Sequence, residues 1–289
     1  MNDLISIEWL AANLHLPDLV ILDASKHLPG AERDAAAEFT TAHIPGARYF
    51  DLGRLVDETS AVPMACPRTD QLVTLLQELG VSSTDHIIFY DDSAVKTSAR
   101  AWFLCRENGF ASVSILDGGL AKWKAEGHPL ESGDAALKPS QPISLSTQGR
   151  IRMKADMLAN IDSKAEQILD ARDQGRFSGT TQDTVHNLPS GHIPGSHNLP
   201  FTRLFADDGT YKSPEQLRGL FRDTGIDLDG PVTTTCGSGV TASVLLFALH
   251  LIGKQDTALY DGSWLEWAGD AATPKAVSGN DPSTTRKAD

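Results

Sequence analysis

The sequence predicts an α/β protein made of two tandem domains, each a mainly parallel sheet flanked by helices. Two observations carry this. The first is internal repetition: Val20-Ile21-Leu22-Asp23-Ala24 returns as Gln167-Ile168-Leu169-Asp170-Ala171, Ala42-His43-Ile44-Pro45-Gly46 as Gly191-His192-Ile193-Pro194-Gly195, and Leu116-Asp117-Gly118-Gly119 through Trp123 as Tyr260-Asp261-Gly262-Ser263 through Trp267. The three landmarks keep their order at separations of 147, 149 and 144 residues, a period too long for a solenoid and suited to a duplicated domain. The second is that short apolar runs alternate with amphipathic stretches inside each half, the pattern of strands connected by helices in a parallel sheet.

Taken in order, Leu19 to Leu22 reads as a strand, Thr69 to Leu79 as a helix, His86 to Tyr90 as a strand, Ser98 to Glu107 as a helix and Val113 to Leu116 as a strand. In the second half the matching stretches are Gln167 to Leu169, Ser213 to Asp223, Pro231 to Thr235, Thr241 to Leu251 and Thr257 to Tyr260. Ser213-Pro214-Glu215 supplies an N-cap followed by proline in the first turn. The expected division is a first domain at 1–131, a linker at 132–149 with little periodicity, a second domain at 150–272 and a polar, disordered tail at 273–289.

A chain of 289 residues can bury a core in each of two domains. It is 40% hydrophobic and 22% charged and has no apolar run long enough to span a bilayer, so no membrane association is expected. The start, Met1 to Trp9, has no basic segment followed by an apolar stretch, and a cytoplasmic location is expected. A net charge of −13 without a basic cluster argues against nucleic acid as a partner. Three widely spaced cysteines, Cys66, Cys105 and Cys236, argue against a disulfide framework or a zinc site and favour single-thiol chemistry; no metal or cofactor is expected.

The chemistry concentrates in Cys236-Gly237-Ser238-Gly239-Val240-Thr241-Ala242. The cysteine stands at the end of an expected strand, on a turn that two glycines leave free to fold tightly, where a helix starts. Such a turn aims backbone N–H groups at one spot, and the helix amino terminus adds partial positive charge, so a thiolate and any anion bonded to it are favoured there. Counting back from the Asp-Gly landmark puts Asp92, beside Asp91, at the matching place in the first half, which therefore lacks the nucleophile. A cysteine-based phosphatase would need an arginine six residues after the cysteine to hold phosphate; that position is Ala242, which favours sulfur over phosphate transfer.

From about Ser6 to Trp267 the chain resembles the two-domain rhodanese and 3-mercaptopyruvate sulfurtransferase family. The marks are Cys236 to Ala242, Asp170-Ala171-Arg172-Asp173-Gln174-Gly175-Arg176-Phe177, Gly191 to Gly195, and Asp261 to Trp267. The resemblance implies two rhodanese-like domains of which only the second is catalytic. It implies a Cys236 persulfide filled by 3-mercaptopyruvate or thiosulfate, a small anionic donor, and emptied by cyanide, a thiol or a thioredoxin-like acceptor. Gly237, Ser238, Gly239, Val240 and Thr241 would cradle the outer sulfur, and Arg176 would bind the donor's anionic group. An alternative is a persulfide relay that takes sulfur from a protein partner.

Within that resemblance Gly237-Ser238 is similar to the mercaptopyruvate branch, since thiosulfate-preferring members tend to carry basic residues at these places. Other positions depart from the branch. A second substrate arginine, expected nine residues after Arg176, falls on Val185, with His186 adjacent. A histidine that would relay protons to the loop serine, expected near Ser60 to Met64, is replaced by Met64, while its partner acid lies near Asp51. Direct attack by an ionised Cys236 is then the simpler course. His43 and His192 are expected to orient their Ile-Pro-Gly turns, Arg172 to pair with a nearby carboxylate, Trp264 and Trp267 to share one helix face in packing, and Cys105 to be inert.

Overall fold

The computed structural model describes residues 2–62, 64–133, 137 and 139–277. The chain separates into two compact units. The first comprises Met1–Asp57, Cys66–Gly149 and Phe205–Tyr211, the second Glu58–Ala65, Arg150–Leu204 and Lys212–Asp289. Among the described residues no helix is long and apolar enough to cross a membrane.

The first unit runs β1 (Leu4–Ile5), α1 (Ile7–Asn13), β2 (Leu19–Asp23), α2 (Ala35–Thr41), β3 (Arg48–Tyr49), α3 (Thr69–Glu78), β4 (His86–Tyr90), α4 (Ser98–Glu107), β5 (Val113–Leu116) and α5 (Gly119–Ala125). The second repeats the plan as β6 (Ile151–Arg152), α6 (Lys154–Ser163), β7 (Gln167–Asp170), α7 (Gln174–Ser178), β8 (His197–Asn198), α8 (Pro214–Asp223), β9 (Val232–Thr235), α9 (Val240–Leu251), β10 (Thr257–Tyr260) and α10 (Ser263–Gly269). Each unit holds one five-stranded sheet with every pairing parallel, ordered β1-β5-β4-β2-β3 and β6-β10-β9-β7-β8. Parallel strands need helical crossovers, and strands buried on both faces read as continuous apolar runs, which is how Val113–Leu116 and His86–Tyr90 are legible. The edge strands β1, β3, β6 and β8 span two residues each, too short for any periodicity to show.

α8 starts as its sequence demands: Ser213 Oγ accepts the Gln216 N–H, Gln216 Oε1 accepts the Ser213 N–H in return, and Pro214 occupies the first turn. α9 is buried from Ala242 to Leu249, so it is apolar all round and not amphipathic. The two Ile-Pro-Gly turns are held alike. His43 stacks on Phe39 at 4.1 Å and bonds its carbonyl, while His192 stacks on Phe177 at 4.0 Å and bonds its carbonyl, with Nδ1–O distances of 2.7 and 2.9 Å. Both imidazoles are buried and serve the turns, as expected.

The expected linker is laid against the first unit: Gly133, Ser146 and Gln148 donate their N–H groups to the Thr40, Asn108 and Glu107 carbonyls, and Ile143 is buried. The expected disordered tail also needs correction. Residues 273–277 are folded into the second unit: Thr273 is buried, Trp267 Nε1 donates to the Pro274 carbonyl at 2.8 Å, and Ala276 pairs antiparallel with His192. Two main-chain hydrogen bonds at 2.8 and 2.9 Å fix that pair, an ordering that residue polarity does not reveal. Residues 278–289, the remainder of that tail, lie outside the described residues.

Where β7 ends, Arg172 is fully buried with Asp170. Its Nη2 lies 2.6 Å from Asp170 Oδ2 and donates to the Gly191 carbonyl at 2.7 Å, and its guanidinium stands 4.4 Å from the centre of the Trp264 ring. One bidentate pair thereby ties β7, the His192 turn and α10 together. Arg172→Met, which strands the buried carboxylate, is expected to cost about 3–5 kcal/mol in urea unfolding, and Asp170→Asn in the same chain to recover part of it. Ser213→Ala is expected to cost about 1 kcal/mol by the same measurement.

Candidate active site

In an open parallel sheet, ligands bind outside the carboxyl ends of the strands, where successive connections leave in opposite directions. In the second unit that point lies between β7 and β9, because the chain goes from β7 outward to β8 and then returns to β9 on the other side. The register pairs Asp170 with Thr235, so the segment carrying Arg172 and Arg176 and the segment carrying Cys236 leave the sheet side by side.

Cys236 follows β9 directly, and α9 begins four residues later. Gly239, the residue before α9, has φ of +79°, a conformation that glycine adopts without penalty and that turns its N–H back onto the cysteine. Gly239 N lies 3.1 Å from Cys236 Sγ. The first turn of α9 lies beside it, so the sulfur sits where N–H dipoles converge, an arrangement that cradles a negatively charged sulfur. The loop itself is clamped from α10: Trp264 N–H donates to the Cys236 carbonyl and Leu265 N–H to the Gly237 carbonyl, both at 2.9 Å, and Cys236 N–H donates to Ser263 Oγ at 3.4 Å. Ser263 holds a left-handed φ of +49° there, with its hydroxyl donating to the Tyr260 carbonyl. Trp264 and Trp267 are both buried. Cys236 is 2% exposed.

Of the expected cradle, Gly237 and Gly239 are buried and Ser238, Val240 and Thr241 half-buried. Only the Gly239 amide bonds the sulfur among the described residues. Ser238 Oγ makes no hydrogen bond among them. Met64, where a relay histidine was expected, has a left-handed φ of +58°, and Asp51 Oδ1 accepts the Gly53 N–H at 2.7 Å as the cap of the short 3-10 turn Leu52–Arg54. Cys105 is buried, and burial holds its thiol well above the ordinary range, which makes it inert as expected. Cys66 is half-buried.

Arg176 lies on α7, whose start is capped by Asp173. Its Nε bonds Asp173 Oδ2 and its Nη1 lies 3.6 Å from Asp183 Oδ1. Burial works against its charge, but the Asp173 hydrogen bond and the charges of Asp173 and Asp183 outweigh it and hold the guanidinium above its ordinary value. The sequence reading missed Asp183. Its carboxylate is fully buried, accepts the Val185 and His186 N–H groups at 3.1 Å, and faces His186 Nδ1 at 3.3 Å. Burial pushes this carboxyl up, yet the His186 amide and the His186 and Arg176 charges bring it below its ordinary value. His186 reaches the cysteine loop: a Cβ built on Gly237 would lie 2.2 Å from its Cε1. Val185, where a second arginine was expected, is 42% exposed and apolar. The signal that could have found Asp183 is its spacing, three residues before a histidine and seven after Arg176, which is informative only once the loop is folded.

The first unit repeats the frame without the cysteine. Its register pairs Asp23 with Tyr90, which puts Asp91, not Asp92, at the place of Cys236. The Asp91 carboxylate takes the Ser93 and Ser98 N–H groups at 2.9 and 2.8 Å, occupying its own loop with a built-in anion. A cavity of about 350 Å³ opens there beside Asp23, Arg33, Glu38 and Asp92, where Arg33 bridges Glu38 and Asp92. Burial raises Asp23 to about 6, against the Ser25 hydrogen bonds that lower it.

A family profile described as the rhodanese-like domain matches residues 6–126 and again 153–270. The chain is 40% identical to the mouse (Mus musculus) 3-mercaptopyruvate sulfurtransferase over 91% of each chain. It is 38% identical to the Chinese hamster (Cricetulus griseus) thiosulfate sulfurtransferase over 95% of each. Among solved structures it is similar to SseA from Escherichia coli, described as a 3-mercaptopyruvate sulfotransferase with the rhodanese fold, with a TM-score of 0.82 and 36% identity over 91% of this chain and 99% of that one. Two profile matches covering both units, with relatives of this identity along nearly the whole length, establish that the chain belongs to the rhodanese family of two-domain sulfurtransferases.

Proposed function

We propose that this enzyme takes a sulfane sulfur from 3-mercaptopyruvate or thiosulfate onto Cys236 and passes it to cyanide or a thiol, a thioredoxin-like protein included. The observation that carries the reading is the Gly239 amide at 3.1 Å from Cys236 Sγ at the start of α9, in the second unit alone. In the first half-reaction the Cys236 thiolate attacks the donor's outer sulfur. A new S–S bond forms while the donor's C–S or S–S bond breaks, its electron pair leaving with the pyruvate enolate, which is then protonated, or with sulfite. In the second, cyanide attacks the outer sulfur of the persulfide, thiocyanate leaves and the thiolate returns. No external oxidant or reductant is needed with cyanide.

In this reading Gly237, Ser238, Gly239, Val240 and Thr241 surround the persulfide, with amides and hydroxyls as donors to its terminal sulfur. Arg176, held by Asp173 and Asp183, anchors the donor's anionic group. Ser238 acts as a hydrogen-bond donor without a histidine relay. Three widely spaced cysteines with no disulfide framework suit a reducing compartment, and the cytoplasm is the proposed location; one plant relative is named as mitochondrial.

Thiocyanate formation with each donor, paired with intact mass, tests this. Wild type is expected to turn over and to gain about 32 Da, one sulfur, when loaded with donor in the absence of acceptor. Cys236→Ser is expected to lose both turnover and adduct. Turnover with neither donor, together with a sulfur adduct acquired from a cysteine desulfurase, would replace the enzyme by the relay. Arg176→Ala is expected to raise the donor KM by roughly 10- to 100-fold through loss of a charge-assisted anion contact.

A further inference from the structure

Four side chains, Asp173, Arg176, Asp183 and His186, form one linked set that meets the cysteine loop through His186 at Gly237. Asp183 is fully buried and is contacted by both basic groups, Arg176 at 3.6 Å and His186 at 3.3 Å. The same carboxylate accepts the Val185 and His186 amides, so it fixes both the backbone and the ring of His186. The ring lies over Gly237, with Cε1 2.2 Å and Nε2 2.9 Å from the point a Cβ would occupy. His186 thus fills the space of the side chain that residue 237 lacks, next to the nucleophile.

Packing alone does not account for this arrangement. A histidine that merely filled space would not need a buried carboxylate on its far nitrogen. The ring is 16% exposed, and Nε2 makes no hydrogen bond among the described residues. Nδ1 faces an anion and Nε2 is left for another partner, the division of labour that fixes an imidazole for use.

We propose that His186 is a donor-binding residue of the sulfurtransferase site, its Asp183-held imidazole making with Arg176 a two-point contact to the anionic group of the sulfur donor. This rests on the reading of Cys236 as the sulfur carrier. Charge decides which form of the ring serves. Asp173, Asp183 and Arg176 together carry one net negative charge, which repels an anionic donor while the ring is neutral; protonation cancels it and turns Nε2 into a donor. The charged group that contacts the ring is Asp183, which in turn holds Arg176. The carboxylate of 3-mercaptopyruvate and the thiosulfonate of thiosulfate share this chemistry, and the assay separates them.

The test measures kcat and KM for both donors in wild type, His186→Ala, His186→Arg and Gly237→Ala, with thermal midpoints as a check on folding. His186→Ala is expected to raise KM by about ten-fold for the donor whose anion is held, with a smaller change in kcat. His186→Arg is expected to retain low KM, since the guanidinium supplies the same charge-assisted contact. Gly237→Ala, whose methyl group displaces the ring, is expected to reproduce the KM effect of His186→Ala. Unchanged KM for both donors in folded His186→Ala overturns the proposal while leaving wild-type turnover to support the sulfurtransferase reading. Wild-type turnover with neither donor removes both.

Discussion

The pairing of β7 with β9 is the constraint on which the rest depends. With Asp170 opposite Thr235, the two chain segments that leave the sheet at its switch point emerge in contact, and Ala171 N–H donates to the Thr235 carbonyl at 2.9 Å. One segment supplies Arg172, which is buried, and Arg176; the other supplies Cys236 and α9. A register shift by one residue would turn the side chains to the other face of the sheet and bury what must be presented. The Asp170–Arg172 pair holds that register from one side, and α10 holds it from the other through the Cys236 and Gly237 carbonyls. The loop is therefore tied from both sides in the absence of a donor, and ordering that is already in place lowers the entropy cost of binding.

The duplication shows how little separates a working loop from a silent one. The first unit keeps the sheet order, the stacked Phe39–His43 turn and the tight landmark before α5, but Asp91 stands where Cys236 stands in its twin. A carboxylate satisfies the converging amides internally, leaving no nucleophile and no vacancy for an incoming anion. In the second unit a sulfur with one amide donor takes that place and leaves the remaining amides of the loop near a half-buried surface. The folding frame is common to both units, and the two loops differ by a cysteine against an aspartate at one position.

The second unit has reassigned its charged groups around that position. Arg176 is not a free cation awaiting an anion; it is shared by two aspartates, one of them buried. Asp183 gathers Arg176 and His186 into one array, and the absence of a side chain at Gly237 gives the imidazole its place. One buried carboxylate thus holds together basic side chains that stand ten residues apart in the chain, at 176 and 186.

Much was legible in the sequence, for identifiable reasons. Buried parallel strands are unbroken apolar runs, and so β4, β5 and β10 are read to the residue; Ser213-Pro214 announces α8 through its own chemistry. The nucleophile loop was legible because glycine turn, cysteine and apolar helix are contiguous. The two-residue edge strands, the ordering of residues 273–277 and the inclusion of Phe205–Tyr211 in the first unit were not, since each is set by pairing between residues far apart in the chain. For the same reason Asp91 replaced Asp92 as the twin of Cys236: register, not counting, aligns the loops. The sequence by itself determined the duplicated α/β plan, the family and the candidate nucleophile, because those are written in local patterns of polarity and backbone freedom. Only the tertiary structure decided that Asp183 and His186 stand with Arg176 at the Cys236 loop, because burial of a carboxylate between two basic groups is a property of packed space that no stretch of sequence contains.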